Sequence, residues 1–482
     1  MYKNKLFLLL KKLDRKEMTR FREFVASPYF NKHKDVIALV QYLDKIYPNF
    51  NEKNCDRKKL RPIVFKEKSS TQLQLAIVFT YTKRLLEQFL ITEKQQSLEV
   101  FKHIFLLQQL RQKEQHKLYD KQLQITQEWL KEQNYKDANF QYNNYKFAKE
   151  TDLYYEQRRE YKGDHSLERK QNFLDRFYLS EKLRDACEVL VRQSTLQVNY
   201  SSLLLDVLLE AIEQNWDYYQ QIPSIAIYYD IYQMLRKDTT TAYKNALQRA
   251  SESTPYFSFK EQQSVYQYLQ NFCIKQIYKG DQKYVREVFD LTKIQLKSNL
   301  LFENDYLPEW HYKNLVTAGL RLGEHTWVKQ FIEEYKDTLH PNQKAHAYAF
   351  NLATFHYYQK EYDQVLNLLR YLDISDVRYN INAKSMLLCT YYELKEDEAL
   401  ITLSDAFKQY LKRQKTVSAD YRKGIENLVK YTRKLTLLRA KLAYESKKKL
   451  QSNFDKLSNA ILEEENISNK NWLVTKLKEL EV

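Results

Sequence analysis

The chain contains very little glycine and proline. Its 482 residues include 5 glycines and 7 prolines, whereas average usage would give about 34 and about 24. Hairpins depend on turns such as Asn-Gly and Gly-x, and parallel sheets depend on glycine-bearing loops. The shortage argues against sandwiches, barrels and doubly wound folds, so the sequence predicts an all-α protein.

Long apolar runs and clustered cysteines are also missing. Residues 6–10 form the longest uncharged apolar stretch near the N-terminus; a secretory signal needs about 7–15 such residues and a membrane-spanning helix about 20. Four cysteines, Cys55, Cys187, Cys273 and Cys389, lie far apart and form no C-x-x-C pair. We expect a cytoplasmic protein without a membrane segment, whose cysteines are buried and reduced.

The sequence has none of the common motifs for nucleotide or metal sites. No G-x-G-x-x-G, G-x-x-x-x-G-K-[ST] or H-E-x-x-H pattern occurs. The nine histidines are scattered, and His356 is expected to be a packing or groove residue. We therefore predict no cofactor, no metal, no catalytic residue and no small-molecule substrate.

The net charge of +16 is unevenly distributed. Residues 1–94 and 408–449 each carry +11, and the remainder carries −6. These basic segments could bind phosphates or an acidic protein surface, or they could be solvated helix faces. The candidate polyanion-binding residues are Arg57, Lys58, Lys59, Arg61, Lys66 and Lys68 in the first segment, and Arg433, Lys434, Arg439, Lys441, Lys447, Lys448 and Lys449 in the second.

Residues 1–94 are predicted to form a basic helical module. A region of long helices, residues 95–224, is predicted to follow it. Asp14 and Glu17 have the spacing of a capping box, and Ser27-Pro28 should end the helix that starts there. One long helix is predicted over residues 71–92. Its buried side should consist of Leu75, Val78, Phe79, Leu85, Leu86 and Phe89.

Residues 225–413 show a repeated pattern. Leu352, Ala353, Tyr362, Val365 and Leu369 match the packing positions of a tetratricopeptide repeat. A similar set, Leu315, Gly323, Val328 and Ile332, lies 37 residues earlier, and Phe272, Cys273, Gly280, Val285 and Phe289 lie 43 residues before that. Met386 or Leu387, with Ala399 and Phe407, suggest a fourth unit. The region resembles tetratricopeptide-like helical repeats, in which helix pairs stack because each pair alone cannot bury its apolar stripe.

The C-terminal region, residues 414–482, is predicted to cap this stack. The absence of proline predicts one long helix from residue 415 to 449, with Gly424 as the only interruption. Two shorter helices should follow, the last containing Trp472, Leu473, Leu477 and Leu480.

Residues 21–31, Phe-Arg-Glu-Phe-Val-Ala-Ser-Pro-Tyr-Phe-Asn, together with the repeats, resemble a group of uncharacterised cytoplasmic helical proteins of the Bacteroidetes. This resemblance implies no activity.

The repeat register implies a concave surface that binds a protein segment. Its lining would be Lys313, Thr317, Arg321, Phe350, Thr354, Tyr357 and Tyr358, a mixture of cations and amphipathic rings suited to a peptide. The leading hypothesis is therefore a non-enzymatic scaffold for an unidentified protein partner.

Two alternatives stay open. The basic ends could make the chain a nucleic-acid or ribosome-associated protein. It could also be an RNase of the HEPN type, which uses an arginine and a histidine four to six residues apart. Arg111 with His116, and Arg158 or Arg159 with His165, have this spacing, although chance produces about as many matches.

Overall fold

The structure is a computed structural model that describes residues 4–65, 71–160, 165–196, 199–370, 376–414 and 417–480. These residues form helices and loops, with one isolated β-bridge between Glu303 and Tyr306. The predicted all-α fold class is confirmed.

The first half of the chain contains twelve α-helices within the described ranges. They are α1 (Lys5–Leu10), α2 (Arg15–Ala26), α3 (Lys34–Ile46), α4 (Arg57–Val64), α5 (Gln72–Gln96), α6 (Glu99–Gln112), α7 (His116–Lys131), α8 (Ala138–Arg158), α9 (Ser166–Leu196), α10 (Leu205–Gln214), α11 (Trp216–Tyr219) and α12 (Pro223–Lys237).

The described part of the second half of the chain contains twelve more α-helices. They are α13 (Thr240–Ser253), α14 (Phe259–Tyr278), α15 (Tyr284–Lys297), α16 (Glu309–Arg321), α17 (His325–Tyr335), α18 (Pro341–Tyr358), α19 (Tyr362–Leu369), α20 (Val377–Glu393), α21 (Asp397–Arg413), α22 (Ala419–Lys441), α23 (Lys447–Glu463) and α24 (Lys470–Glu479).

The chain divides into two compact units. The first comprises Met1–Arg184 and Leu204–Ile225, and the second comprises Asp185–Leu203 and Ala226–Val482. No helix in the described ranges is both long enough and apolar enough to span a membrane.

The N-terminal helices of the first unit follow the predicted pattern. Asp14 and Glu17 form a reciprocal capping box at the start of α2, and Ser27 ends that helix. All six apolar residues predicted for the inner side of the long helix, α5, are buried. They pack with residues of α1–α4 into one apolar core, which also includes Cys55. The other three cysteines are buried and free as well.

Four successive helix pairs in the second unit share one turn geometry. The pairs α14–α15, α16–α17, α18–α19 and α20–α21 are each connected through a residue with left-handed backbone: Gly280 (φ 101°), Gly323 (φ 77°), Lys360 (φ 62°) and Lys395 (φ 61°). After each turn an N–H donates to the carbonyl five residues earlier, as from Glu324 to Gly319 at 2.9 Å. This is the Schellman motif, so the four helix pairs share one kind of turn.

The last three pairs pack in series, and together with α15 they share one apolar core. Among first helices, α16 contacts α18, α18 contacts α20, and α20 contacts α22. Five residues after the turn, Val328, Val365 and Leu400 are fully buried, whereas the predicted Val285 of the first pair is only partly buried. The fourth position was predicted at Ala399, which is only partly buried. That prediction is off by one residue because the turn before it lies at Lys395.

Gly319 allows two helices to approach closely. A Cβ atom at this position would lie 2.5 Å from Cγ2 of Val328 and 3.3 Å from the ring of Phe289. Ala353, on the next first helix, is also fully buried. Gly319 therefore allows a close helix approach that a larger residue would prevent, and Ala353 is a second small residue in the core.

The predicted single helix from residue 415 to 449 is wrong. Helix α22 ends at Lys441, and Lys447 begins a separate helix, α23. The carboxylate of Glu445 lies 3.3 Å from the ammonium of Lys441 and 3.2 Å from that of Lys449, so it bridges the two helix ends. Gly424, inside α22, permits the loop after α23 to approach, since an added Cβ would lie 2.7 Å from the Asn466 side chain.

Candidate protein-binding surface

The predicted surface residues lie on the first helices of two neighbouring pairs. Lys313, Thr317 and Arg321 follow one face of α16, because spacings of four residues return to the same side of a helix. The remaining four, Phe350, Thr354, Tyr357 and Tyr358, lie on α18, which packs directly against α16. The structure therefore brings the two groups to adjacent helices.

Two of these residues belong to the core. Phe350 is 5% exposed and Thr354 is 8% exposed. The ring of Tyr379, on α20, packs edge-on against Phe350 with centroids 5.2 Å apart. The Thr354 hydroxyl donates to the Phe350 carbonyl at 2.8 Å. These side chains are covered, so they do not contribute to an open binding surface.

Tyr357 is also largely inside the protein. Its ring packs edge-on against Tyr362 at 5.7 Å. Its hydroxyl is buried, and burial raises its pKa well above the ordinary value. Its neighbour Tyr358 is 42% exposed, because adjacent residues on a helix point about 100° apart.

Lys313 is a partly desolvated cation between two aromatic rings. Its ammonium lies 5.6 Å from the ring centroids of both Phe350 and Tyr379. Burial lowers its pKa, an effect that Asp376 and Glu309 oppose. It forms no ion pair with any residue that the structure describes. Cation–π contact thus replaces part of the hydration that Lys313 loses.

The last residues of the three first helices that pack side by side, α16, α18 and α20, occupy equivalent positions, which we call the helix-end row. They are Arg321 on α16, Tyr358 on α18 and Glu393 on α20, each two residues before a left-handed turn residue. Arg321 and Tyr358 are exposed. Because α16, α18 and α20 pack side by side, the row runs across three stacked pairs.

The α20 part of the row is covered by α24. The indole N–H of Trp472 donates to the Glu393 carboxylate at 2.7 Å, and Lys476 forms an ion pair with the same carboxylate at 2.8 Å. The Trp472 ring packs edge-on against Tyr392 with centroids 5.4 Å apart. A helix with aromatic and cationic side chains therefore binds this part of the surface.

A cavity of about 530 Å³ opens at the other end of α16. It lies where the loop between α15 and α16 meets the start of α18. Its lining consists of Glu303, Asn304, Tyr306, Leu307, Pro308, Glu309, Trp310, His340 and Gln343. Trp310 lies three residues before Lys313, on the same side of α16, and it was not identified from the sequence. The Asn304-Asp305 turn and this helical spacing were the available signals.

The first group of basic residues surrounds the start of α4. Arg57, Lys58 and Lys59 are exposed in its first turn, and Asp56 caps the helix by accepting from the Lys58 N–H at 3.2 Å. Arg61 is only partly exposed, and its Nε is buried without a hydrogen-bond partner among the described residues. Lys66 and Lys68 lie outside the described residues.

The second group lies on α22 and α23. Arg433 and Arg439 form ion pairs with Asp405 and Asp397, whereas Lys434 is exposed and contacts the Tyr431 ring face at 5.9 Å. Lys447, Lys448 and Lys449 are exposed in the first turn of α23. A cavity of about 270 Å³ between the helices is lined by Lys434, Leu437, Leu438, Lys441, Asn453, Lys456 and Leu457.

Two of the three arginines of the RNase hypothesis have structural partners. Arg111 forms a two-pronged salt bridge with the buried Glu150, at 2.7 and 3.2 Å. Arg158 contacts the Tyr154 hydroxyl at 2.8 Å and pairs with Glu160. Arg159 adopts the left-handed conformation that ends α8. His165 lies near Glu168 on the surface, at 3.4 Å.

Within the described ranges no group of three or more His, Cys, Asp or Glu side chains is arranged to hold a metal ion. Comparisons of the chain with known protein families, curated proteins and solved structures found no match.

Proposed function

We propose that this protein is a cytoplasmic, non-enzymatic scaffold. It binds a segment of a partner protein on the face formed by the first helices of its stacked pairs. The observation that carries the proposal is the unequal coverage of the helix-end row. One member, Glu393, is covered by α24, whereas Arg321 and Tyr358 present a cation and an aromatic ring to solvent.

The chemistry of the row indicates which segment it would accept. Tyrosine and arginine are the residue types that most often dominate binding energy at protein interfaces. An acidic side chain of the partner would pair with Arg321, and an apolar side chain would pack on the Tyr358 ring. The way α24 lies on α20 supports a helical segment as the occupant.

The test is affinity capture from the native host with three purified proteins: the wild type, the double variant Arg321→Ala with Tyr358→Ala, and the control Tyr29→Ala. Tyr29 is 88% exposed and lies in the N-terminal unit. Mass spectrometry should find a partner that the wild type and Tyr29→Ala retain and the double variant loses. Circular dichroism must show equal helicity. Equal recovery with all three proteins contradicts the proposal.

A second candidate function is polyanion binding at α22 and α23. The cavity there has three lysines and no acidic residue in its lining, and three more lysines follow in the first turn of α23. If this surface binds a nucleic acid, affinity should fall steeply with salt, with a log–log slope near −0.9 for each duplex phosphate contacted. Absent or salt-insensitive RNA and DNA binding excludes it.

A further inference from the structure

The loop before α16 has a well-defined conformation. The backbones of Glu303 and Tyr306 exchange two hydrogen bonds, of 2.8 and 3.0 Å, across a tight turn. The turn residues Asn304 and Asp305 have φ angles of 47° and 67°, which Asn and Asp tolerate better than most residues. The Leu307 N–H donates to the Thr338 carbonyl at 2.9 Å, which ties the loop to the segment before α18.

This loop forms one wall of the 530 Å³ cavity, and the cavity wall is acidic and aromatic. Glu303 and Glu309 contribute carboxylates, and no lysine or arginine lines it. Glu309 pairs with His346 at 3.1 Å, whereas Glu303 is exposed and has no ion-pair partner among the described residues. Glu303 is therefore free to pair with a bound cation.

The aromatic residues of the cavity are exposed. All five tryptophans lie in the described part of the chain, and among them Trp310 is the exposed one, at 53%. Tyr306 is 36% exposed, and its ring meets the His340 ring with centroids 4.9 Å apart. The face of a tryptophan ring is the best aromatic site for a cation.

The two basic side chains of α16 that lie near the cavity do not oppose a cation here. Lys313 lies one helical turn from Trp310, but its ammonium is over the rings of Phe350 and Tyr379, and it does not line the cavity. Burial lowers the pKa of His311, whose ring is tilted by 30° against the adjacent Trp310 ring, to about 4. His311 is therefore uncharged near neutral pH.

We propose that this cavity binds the cationic head of a lysine or arginine side chain, with Trp310 and Tyr306 contacting the cation and Glu303 pairing with it. That the cation belongs to a protein segment rests on the proposed scaffold function, since Trp310 continues the Lys313–Arg321 face of α16. Arginine fits best, because its planar guanidinium can stack on a ring and pair with a carboxylate together.

The experiment uses the full chain labelled with 5-fluorotryptophan, whose five ¹⁹F signals report the five tryptophans separately. The Trp310 signal is assigned as the one missing from Trp310→Phe. The probes are Nα-acetyl-arginine methylamide, the citrulline compound of the same shape without charge, and spermidine. We expect the arginine probe to shift the Trp310 signal selectively and the citrulline probe to leave it in place.

Two charge variants sharpen the test. Glu303→Gln should weaken arginine binding about threefold to fivefold, the value of one exposed charge contact. Asp305→Asn removes the same charge from the same turn but outside the cavity lining, and it should leave binding unchanged. An unmoved Trp310 signal, or equal shifts with arginine and citrulline, overturns the proposal. If only spermidine shifts the Trp310 signal, the cavity binds free polyamines, and the proposal that the cation belongs to a protein side chain is overturned.

The test of the cation site and the test of the proposed scaffold function can succeed or fail independently. A selective arginine response together with failed partner capture keeps the cation site and removes the scaffold. Partner capture without any Trp310 response keeps the scaffold function and removes the cation site.

Discussion

Trp472 and Glu393, 79 residues apart in the chain, are joined by an indole–carboxylate hydrogen bond of 2.7 Å. The same carboxylate pairs with Lys476, so two side chains of α24 converge on the last residue of α20. This contact attaches the C-terminal helix to the helix-end row and leaves Arg321 and Tyr358 as its open members.

Replacing Trp472 with alanine should weaken the attachment of α24. The variant loses ring packing on Tyr392 and leaves Glu393 with one partner fewer, so we expect about 2–4 kcal/mol of lost unfolding free energy. Urea denaturation measures this. The matched control is Trp310→Ala, whose exposed side chain should cost less than about 1 kcal/mol. If Trp472→Ala lost as little unfolding free energy as is expected for Trp310→Ala, Trp472 would not be a packing residue.

Gly319→Ala should destabilise the second unit although alanine favours helices. The new methyl group would lie 2.5 Å from Val328, whose stiff, fully buried side chain has little room to move. We expect a net loss of about 1–2 kcal/mol by urea denaturation. In a Val328→Ala background the same change should cost less, since the clash is removed. A stabilised Gly319→Ala single variant contradicts the close helix approach.

Lys360→Gly should stabilise the protein. Lys360 has a φ of 62°, a conformation that costs a non-glycine residue energy, so glycine should add about 0.5–1 kcal/mol. Lys360→Ala is the control, because alanine removes the same side chain but keeps the Cβ atom, and it should bring no gain. If the alanine variant gained as much, the benefit would come from loss of charge instead.

His311 should make stability depend on pH. Burial lowers its pKa from 6.5 to about 4 in the folded protein, so between these values the unfolded chain binds more protons. Its contribution to stability is therefore full above pH 6.5 and is lost as the pH falls towards 4. The difference in unfolding free energy between pH 7 and pH 5 should be smaller for His311→Gln than for the wild type. If the wild type and His311→Gln showed the same difference between pH 7 and pH 5, the His311 side chain would be solvated and not buried.

The features that followed from the sequence are those with local signals. Scarce glycine and proline indicated an all-α chain, and Gly280 and Gly323 fixed the register of two helix pairs at their turns. Lys360 and Lys395 occupy the same turn position, but lysine has no preference for left-handed backbone, and the fourth pair was accordingly predicted one residue early. The end of α22 at Lys441 has no glycine or proline to mark it.

The candidate surface depended more on contacts between distant residues. The seven predicted positions do lie on two adjacent helices, yet Phe350 is covered by Tyr379 of the next pair, and only the packed structure shows this. The coverage of Glu393 by Trp472 is equally non-local. The cavity beside Trp310 combines a loop, a helix start and His340, so no single stretch of sequence indicates it.

Photo-crosslinking tests the central claim most directly. Benzoylphenylalanine placed at position 358 or 321 in the native host, with position 29 as the control, reports what contacts each site, and mass spectrometry maps the partner residues. The account predicts that positions 358 and 321 crosslink to one common segment of one protein and that position 29 does not. Crosslinks to unrelated proteins, or the same yield at position 29, would contradict it.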